Sequence, residues 1–538
     1  MHTLLKWQQQ PGKGRRLQQR TFFLHAALEH RHSAHCARPA ARWLVIVIGM
    51  VLLAPRLLWA QMPAQPSPED AYTPHPRVII ISDIGNEPDD QMSLIRLLLY
   101  SNELDIQALI AATSTWQKTV IHPETMHRLV AAYAQVRPSL LRNASGWPTE
   151  AYLDQHIFAG QPGYGMAATG PQNVSAGAQA ILTAAEQGDP RPLWICLWGG
   201  ANTLAEALQQ ARTTRTPAQL QALIARLRVY SISDQDDAGP WIRRQFPKLF
   251  YIVTPSNPDG GSYGYATWTG ISGDVYYRNG EGADMRVVTN EWLDAHIRNQ
   301  GTMGKLYPRF AFIMEGDTPS FLNLIDNGLD ASMRPDFGGW GGRYLLREPY
   351  GETHPIWTQG GDLFTRITSQ DTVLGIDGKL HTSDQATIWR WRDAFQNDFA
   401  ARMHWTVADF KHSNHNPIVV VDGHTGTAPV ELDATVGRPL RMDASGTRDP
   451  DGQALHYHWF AYQEAGAAGG TVSTVKVADA DTPQATVTPT AVCHANWLPL
   501  IPCHGTGRAD VILAVTDTGS PTLTSYRRVI VTVHPATR

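Results

Sequence analysis

From residue 77 to about 410, two kinds of apolar segment alternate along the chain. Short unbroken runs such as Val78-Ile79-Ile80-Ile81 have no polar face, the pattern of a strand buried on both sides in a parallel sheet. Longer segments between them carry apolar residues at helical spacing. The reading predicts a helix over 90–101, a strand over 106–112, helices over 123–135 and 174–187, a strand over 192–198 and a helix over 201–211. Strands over 228–233 and 249–253 follow, then a helix over 290–298, a strand over 310–314 and a helix over 319–327. Such alternation defines an α/β fold with an open, mostly parallel, right-handed wound sheet over 77–412. Beyond that the helices stop. Runs at 418–421, 438–443, 455–462, 484–488, 510–516 and 527–534 are short, rich in Val and Thr, and separated by turn residues. They predict an Ig-like β-sandwich over 413–538.

The N-terminal texture is different. Residues 1–42 are basic and poor in acid, and WLVIVIGMVLLAP at 43–55 is shorter than a comfortable membrane span. A small residue, Ala60, precedes Gln61, and a Pro-rich linker runs over 61–76. This describes a signal peptide over 1–60, with an uncleaved anchor as the alternative. A periplasmic or extracellular location follows, with no stable membrane span after cleavage. In an exported chain, Cys493 and Cys503, which bracket a Pro-containing loop, are expected to pair. His494 and His504 beside them raise a zinc set, but neither half has Cys-x-x-Cys spacing. Cys196, inside a predicted strand, reads as a structural thiol. A formal charge of −4 speaks against a nucleic-acid polymer as partner. Seventeen Trp are a heavy investment, and aromatic faces stack on sugars as readily as they fill cores.

The chemistry gathers behind the first strand. Asp83 falls at its carboxyl end, where open α/β sheets bind ligands, and Glu87, Asp89 and Asp90 follow within one short loop. Converging carboxylates repel unless protonated or bridged by a cation, and a hard ion with oxygen ligands, calcium or magnesium, suits them. Helix capping competes as an explanation. Pro88 fits a first helical position, and acids in the first turn favour the macrodipole, but capping leaves Asp83 unexplained. Later strand ends repeat the theme in Gly199-Gly200-Ala201-Asn202, Asp234-Gln235-Asp236-Asp237 and Glu315-Gly316-Asp317. The topology brings such loops to one edge.

These phrases resemble the nucleoside hydrolase superfamily. More closely, residues 77–538 resemble bacterial cellulose-binding proteins with a nucleoside-hydrolase-like domain and an Ig-like C-terminal domain. The phrases that carry the likeness are DIGNEPDDQ at 83–91, SDQDDAGPWI at 233–242 and EGDTPSF at 315–321. The turn at 443–452 and the Tyr457-x-Trp459 strand are similar to PKD-type modules. The likeness implies a Ca²⁺ site held by Asp83, Asp90, Asp317 and the carbonyl of Ala201. It implies sugar contacts near Asp236 and Asp237; Asn202 is a further substrate-binding candidate, and in the hydrolase reading Trp241 or Trp340 stacks on the substrate. Where nucleoside hydrolases carry their usual aspartate base, this chain has Gly85. Glu87 or Asp89 is then the candidate base, since a positioned base is worth roughly 10²–10⁴ in rate. Two readings follow. One is an exported calcium-dependent hydrolase of N-glycosyl or other glycosyl compounds in a plant-polysaccharide setting. The other is a non-catalytic cellulose- or carbohydrate-binding protein that kept the fold. Either way the partner is a sugar-containing small molecule or a polysaccharide.

Overall fold

A computed structural model of the chain describes residues 75–536, except 171–173, 258–259, 361–368, 466–471 and 494–504. The expected signal segment, nearly all of the linker, and Cys503 lie outside the described residues. Cys493 is disulfide-bonded. Among the described residues, no helix is long and apolar enough to cross a membrane.

Eight strands build the main sheet: β1 (Arg77–Ser82), β2 (Asp105–Ala111), β3 (Ile157–Ala159), β4 (Leu193–Leu197), β5 (Leu227–Ser231), β6 (Phe250–Ile252), β7 (Leu345–Arg347) and β8 (Ile356–Thr358). They lie in the order β3-β2-β1-β4-β5-β6-β8-β7, and only β7 runs antiparallel to its neighbour. Every residue of β1 and β4 is buried, as the unbroken apolar runs require. Alternation along β1 feeds two cores. Val78 and Ile80 pack on one face of the sheet with helices Pro88–Leu98 and Pro123–Asn143, while Ile79 and Ile81 pack on the other with helices Ala176–Glu186 and Asn202–Thr214. The strand order reverses at β1, with β2 on one side and β4 on the other. That switch point opens a crevice at the carboxyl ends of β1 and β4, and ligands of such sheets bind there.

Four expectations are corrected. The run at 418–421 forms no strand, only isolated bridges from Ile418 to Arg448 and from Val421 to His424. Residues 310–314 form no strand, because β8 occupies the place beside β6. Met314 is instead clamped by Ser272, whose hydroxyl donates to its carbonyl at 2.6 Å and accepts its N–H at 3.1 Å. The helix over 290–298 begins as α at Asn290–Leu293 and widens into a π-turn at Asp294–Arg298. The helix after Asp317 is only Pro319–Leu322.

A small hairpin of β9 (Asp371–Leu374) and β10 (Leu380–Ser383) precedes the C-terminal domain. There β11 (Val430–Thr435), β12 (Leu440–Asp443), β13 (Leu455–Ala461), β14 (Thr474–Ala478), β15 (Gln484–Ala491), β16 (Gly507–Asp517) and β17 (Thr524–His534) form two sheets, β11-β17-β16-β13 and β12-β15-β14. Their facing apolar residues share one core around Trp459. The sandwich is docked firmly on the α/β domain. The buried Arg528 guanidinium donates to the carbonyls of Leu329, Phe337 and Gly338 while paired with Asp510 at 2.8 Å. Tyr462 donates to Asp371 across the same boundary at 2.6 Å.

Candidate functional site

The crevice at the switch point is a cavity of about 340 Å³. Asp83 enters it from the end of β1. Glu87, Asp89 and Asp90 enter from the loop and first helical turn behind it, and Asp317 enters from the loop before helix Pro319–Leu322. Carboxylate oxygens of Asp89, Asp90 and Asp317 all lie within 4.8 Å of one another. Two devices bring these distant residues together. Pro88 starts the helix so that Asp89 and Asp90 occupy its first turn. Glu315, held in a left-handed conformation at φ 57°, ties the Asp317 loop back to that same helix. Its carboxylate pairs with Arg96 Nε at 2.9 Å and accepts from the Tyr307 hydroxyl at 2.5 Å.

The electrostatics match the crowding. Burial pushes Asp83 up to about 6 against the hydrogen bond from Ser114, and burial with the charges of Glu87 and Asp83 pushes Asp89 up to about 7. Asp90 and Asp317 are raised well above the usual carboxylate range by burial and then by their acidic neighbours. The Ser82 hydroxyl donates to Asp90 at 2.5 Å, but one buried oxygen of Asp317 has no hydrogen-bond partner among the described residues. An all-oxygen, three-carboxylate set with an unpaired acceptor fits a hard divalent cation. Glu87 stands apart from this trio. It is half-buried at the cavity wall, and burial raises its carboxyl.

The remaining predicted residues lie elsewhere. Ala201 does not line the cavity; its carbonyl accepts the first helical hydrogen bond, from Ala205 at 2.9 Å. Asn202 donates from its amide nitrogen to Thr113 and to the Gly163 carbonyl, at 3.1 and 2.6 Å, while its buried Oδ1 has no hydrogen-bond partner among the described residues. Asp236 is a brace: one oxygen accepts the Asn202 N–H at 3.0 Å and the other the Ala238 N–H at 2.9 Å. Asp237 faces away and accepts the Met166 N–H. Trp241 is half-buried, edge-on to Phe246 and under Arg212. Trp340 is core, edge-on to Phe395, and borders a separate cavity with Thr524 and Ser525 of the sandwich. The rings that do line the site are Trp116, Trp198, Tyr263, Trp268, Tyr276, Tyr277 and Phe312. A signal for them existed in the five aromatics packed into residues 263–277.

Gly85 is more than a missing carboxyl. Its φ is +110°, and a Cβ placed there would meet His122 Cδ2 at 2.5 Å. The three nearest atoms all belong to His122, so the loop is built around glycine.

Comparison with known proteins agrees with this architecture. Residues 77–344 match the family described as "Cellulose-binding Sde182, nucleoside hydrolase-like domain", and residues 439–533 match "Cellulose-binding protein Sde0182, C-terminal domain". A solved structure of a nucleoside hydrolase-related hypothetical protein from Saccharophagus degradans, described as associated with carbohydrate metabolism, is 33% identical with a TM-score of 0.69. The alignment covers 86% of this chain and 100% of that one. The PKD domain of the KIAA 1837 protein is 21% identical over 22% of this chain and 96% of its own, with a TM-score of 0.15. The type III effector XopQ, complexed with adenosine diphosphate ribose, is 9% identical over 63% of this chain and 96% of its own, with a TM-score of 0.29. A search of curated proteins gave no match. By its likeness to the whole of the Saccharophagus degradans protein and by both of its domains, the chain belongs to the family of cellulose-binding proteins with a nucleoside-hydrolase-like domain and a dedicated C-terminal domain.

Proposed function

We propose that this protein is a calcium-dependent hydrolase acting on a glycosyl bond, in the setting of plant polysaccharide. The observation that carries the reading is the convergence of Asp89, Asp90 and Asp317 within 4.8 Å on the floor of an aromatic-walled cavity. A non-catalytic groove for stacked sugars needs aromatic faces and has less reason to keep three facing carboxylates. When bound, a hard cation neutralises the clustered charge and orients sugar hydroxyls. Asp89, Asp90 and Asp317 are the residues to hold it, with Asp83 adding charge beside them. Glu87 takes the proton of the attacking water: it lines the cavity, is half-buried, and lies outside the trio. The aromatic walls hold the sugar and exclude bulk water. The basic-then-apolar N-terminal pattern supports action outside the cytoplasm, where polysaccharide is met.

Gly85 favours a second reading, in which the pocket binds cellulose-derived or related sugars without cleaving them. One experiment separates the two. Aryl glycosides, nucleosides and cello-oligosaccharides are incubated with the full chain in calcium or in chelator, and both cleavage and binding are measured. Calcium-dependent turnover that falls by roughly 10²–10⁴ in Glu87→Gln, with binding retained, supports the hydrolase. Calcium-dependent binding with no turnover for any substrate decides for the second reading.

A further inference from the structure

Asp317 belongs to no helix or strand. Helix Gly301–Leu306 ends well before it, and helix Pro319–Leu322 begins two residues after it. Yet one of its carboxylate oxygens stands within 4.8 Å of those of Asp89 and Asp90, and three like charges at that distance repel. Left to itself, an irregular loop would swing away. The helix Pro88–Leu98 shows what holds it. Asp89, Ser93 and Arg96 recur at i, i+4 and i+7, so they form one stripe along a single face of that helix.

The segment 315–318 lies against this stripe residue by residue. Arg96 Nε pairs with the Glu315 carboxylate at 2.9 Å, and neither side chain is exposed. The Thr318 hydroxyl donates to the Ser93 hydroxyl at 3.0 Å. Gly316 comes so close to Asp89 that a Cβ would sit 2.9 Å from Asp89 Oδ2. Asp317 is thus fixed on both sides, by the residue two before it and by the residue after it. The first tether is itself anchored. Tyr307 donates to the other Glu315 oxygen at 2.5 Å, while Arg96 donates to Gln396 and lies 4.1 Å over the Phe399 ring. Glu315 keeps a φ of 57°, which a residue with a side chain holds only where its surroundings enforce it. For a wholly buried ion pair the cost of desolvation offsets much of the Coulombic gain. Stability alone gives little reason for the pair; holding a geometry does.

We infer that Glu315 and Thr318 are positioning residues for the cation: through Arg96 and Ser93 they hold Asp317 opposite Asp89 and Asp90, so that the ligand set is formed in the fold itself. This rests on the cation site of the proposed function and adds the residues that preform it. Neither belongs to the carboxylate trio. Without the tethers the loop relaxes outward under the repulsion, and binding an ion must first draw it back.

The test is calorimetry of calcium binding by the full chain and by Glu315→Gln, Thr318→Val and Thr318→Ser, with thermal unfolding of each in chelator. Glu315→Gln keeps the shape of the side chain and removes the charge that answers Arg96. It is expected to lower calcium affinity by about 10- to 100-fold, the range for groups that orient metal ligands from behind. Thr318→Val keeps the volume and loses the hydroxyl, for an expected loss of about fivefold, the worth of one hydrogen bond. Thr318→Ser restores it. Glu315→Gln leaves a buried charge on Arg96 without its partner; if that variant does not fold, the uncharged Thr318 pair decides alone. Calcium affinity unchanged in folded Glu315→Gln, or equal in Thr318→Val and the parent, overturns the positioning role and leaves the cation site standing, even where the unfolding temperature in chelator falls. Absence of calcium binding by the parent overturns the site and the positioning role together.

Discussion

Gly85 offers the sharpest test of how far this site has moved from a hydrolase carrying aspartate there. Replacing it by Ala adds one methyl group and two separate costs. The φ of +110° is a conformation that L residues adopt at roughly 1–3 kcal/mol. The new Cβ also meets His122 at 2.5 Å from Cδ2, 2.9 Å from Cγ and 3.1 Å from Cβ. Turning the imidazole relieves the first contact by giving up its 2.6 Å contact with the exposed Glu124. Gly85→Ala is therefore expected to destabilise by about 1–3 kcal/mol through the backbone, with the contact against His122 adding to it. Adding His122→Ala should return the smaller, steric part and leave the backbone part. Thermal and denaturant unfolding of the single and double variants measures the coupling directly. Gly85→Asp should show the same loss and no gain in turnover, because its side chain would start against His122 and not among the carboxylates. A Gly85→Ala protein as stable as the parent would refute the strain argument, and a Gly85→Asp protein that cleaves faster would refute the geometric one.

Asp317→Asn removes one charge from the trio and leaves the shape. In chelator the variant should unfold at the same temperature as the parent or higher, since repulsion is relieved, whereas the rise in melting temperature on adding calcium should shrink. A cation at 100 times its Kd stabilises by about 2.7 kcal/mol, so the parent's shift is large enough to read by differential scanning calorimetry. Equal calcium shifts in both proteins would contradict the site. Burial pushes Asp330 up to about 7, and one of its buried oxygens has no partner among the described residues. The folded chain then holds a proton that the unfolded chain has released, between about pH 4 and pH 7, so this group's contribution to stability falls as pH rises through that window. The slope is at most ~1.4 kcal/mol per pH unit. Asp330→Asn should flatten it and gain most near pH 8, since Asn tolerates the φ of 50° at this position. Melting temperatures of parent and variant that run parallel from pH 4 to 8 would show that this carboxyl is not the cause.

What was legible in the chain follows from how local each signal is. The buried runs of β1 and β4 carry their own pattern, and so does the Pro88 start that places Asp89 and Asp90. Asp317 was legible because its phrase, EGDTPSF, belongs to a family. The strands β7 and β8 were not, because three residues each are too few to show a period. The structural duties of Asn202, Asp236 and Asp237 share one cause. An acidic or amide residue in a loop at a strand end serves two masters, a ligand and the loop's own N–H groups. Asp236 answers the second by holding the N–H groups of Asn202 and Ala238, a demand set by how two loops meet in space and invisible along the chain. Tryptophan misled for a related reason. Trp241 and Trp340 sit near acidic or glycine-rich phrases, yet each is consumed by packing, while Trp116 carries no motif and stands open at the mouth. Proximity in sequence to a chemical phrase is weak evidence for an aromatic side chain, whose large area nearly always finds a core to fill. Exposure is the better guide. By that measure the site is read from its rim inward: open rings at Trp116, Tyr276 and Phe312, then unpaired donors and acceptors, then the carboxylates that a cation would join.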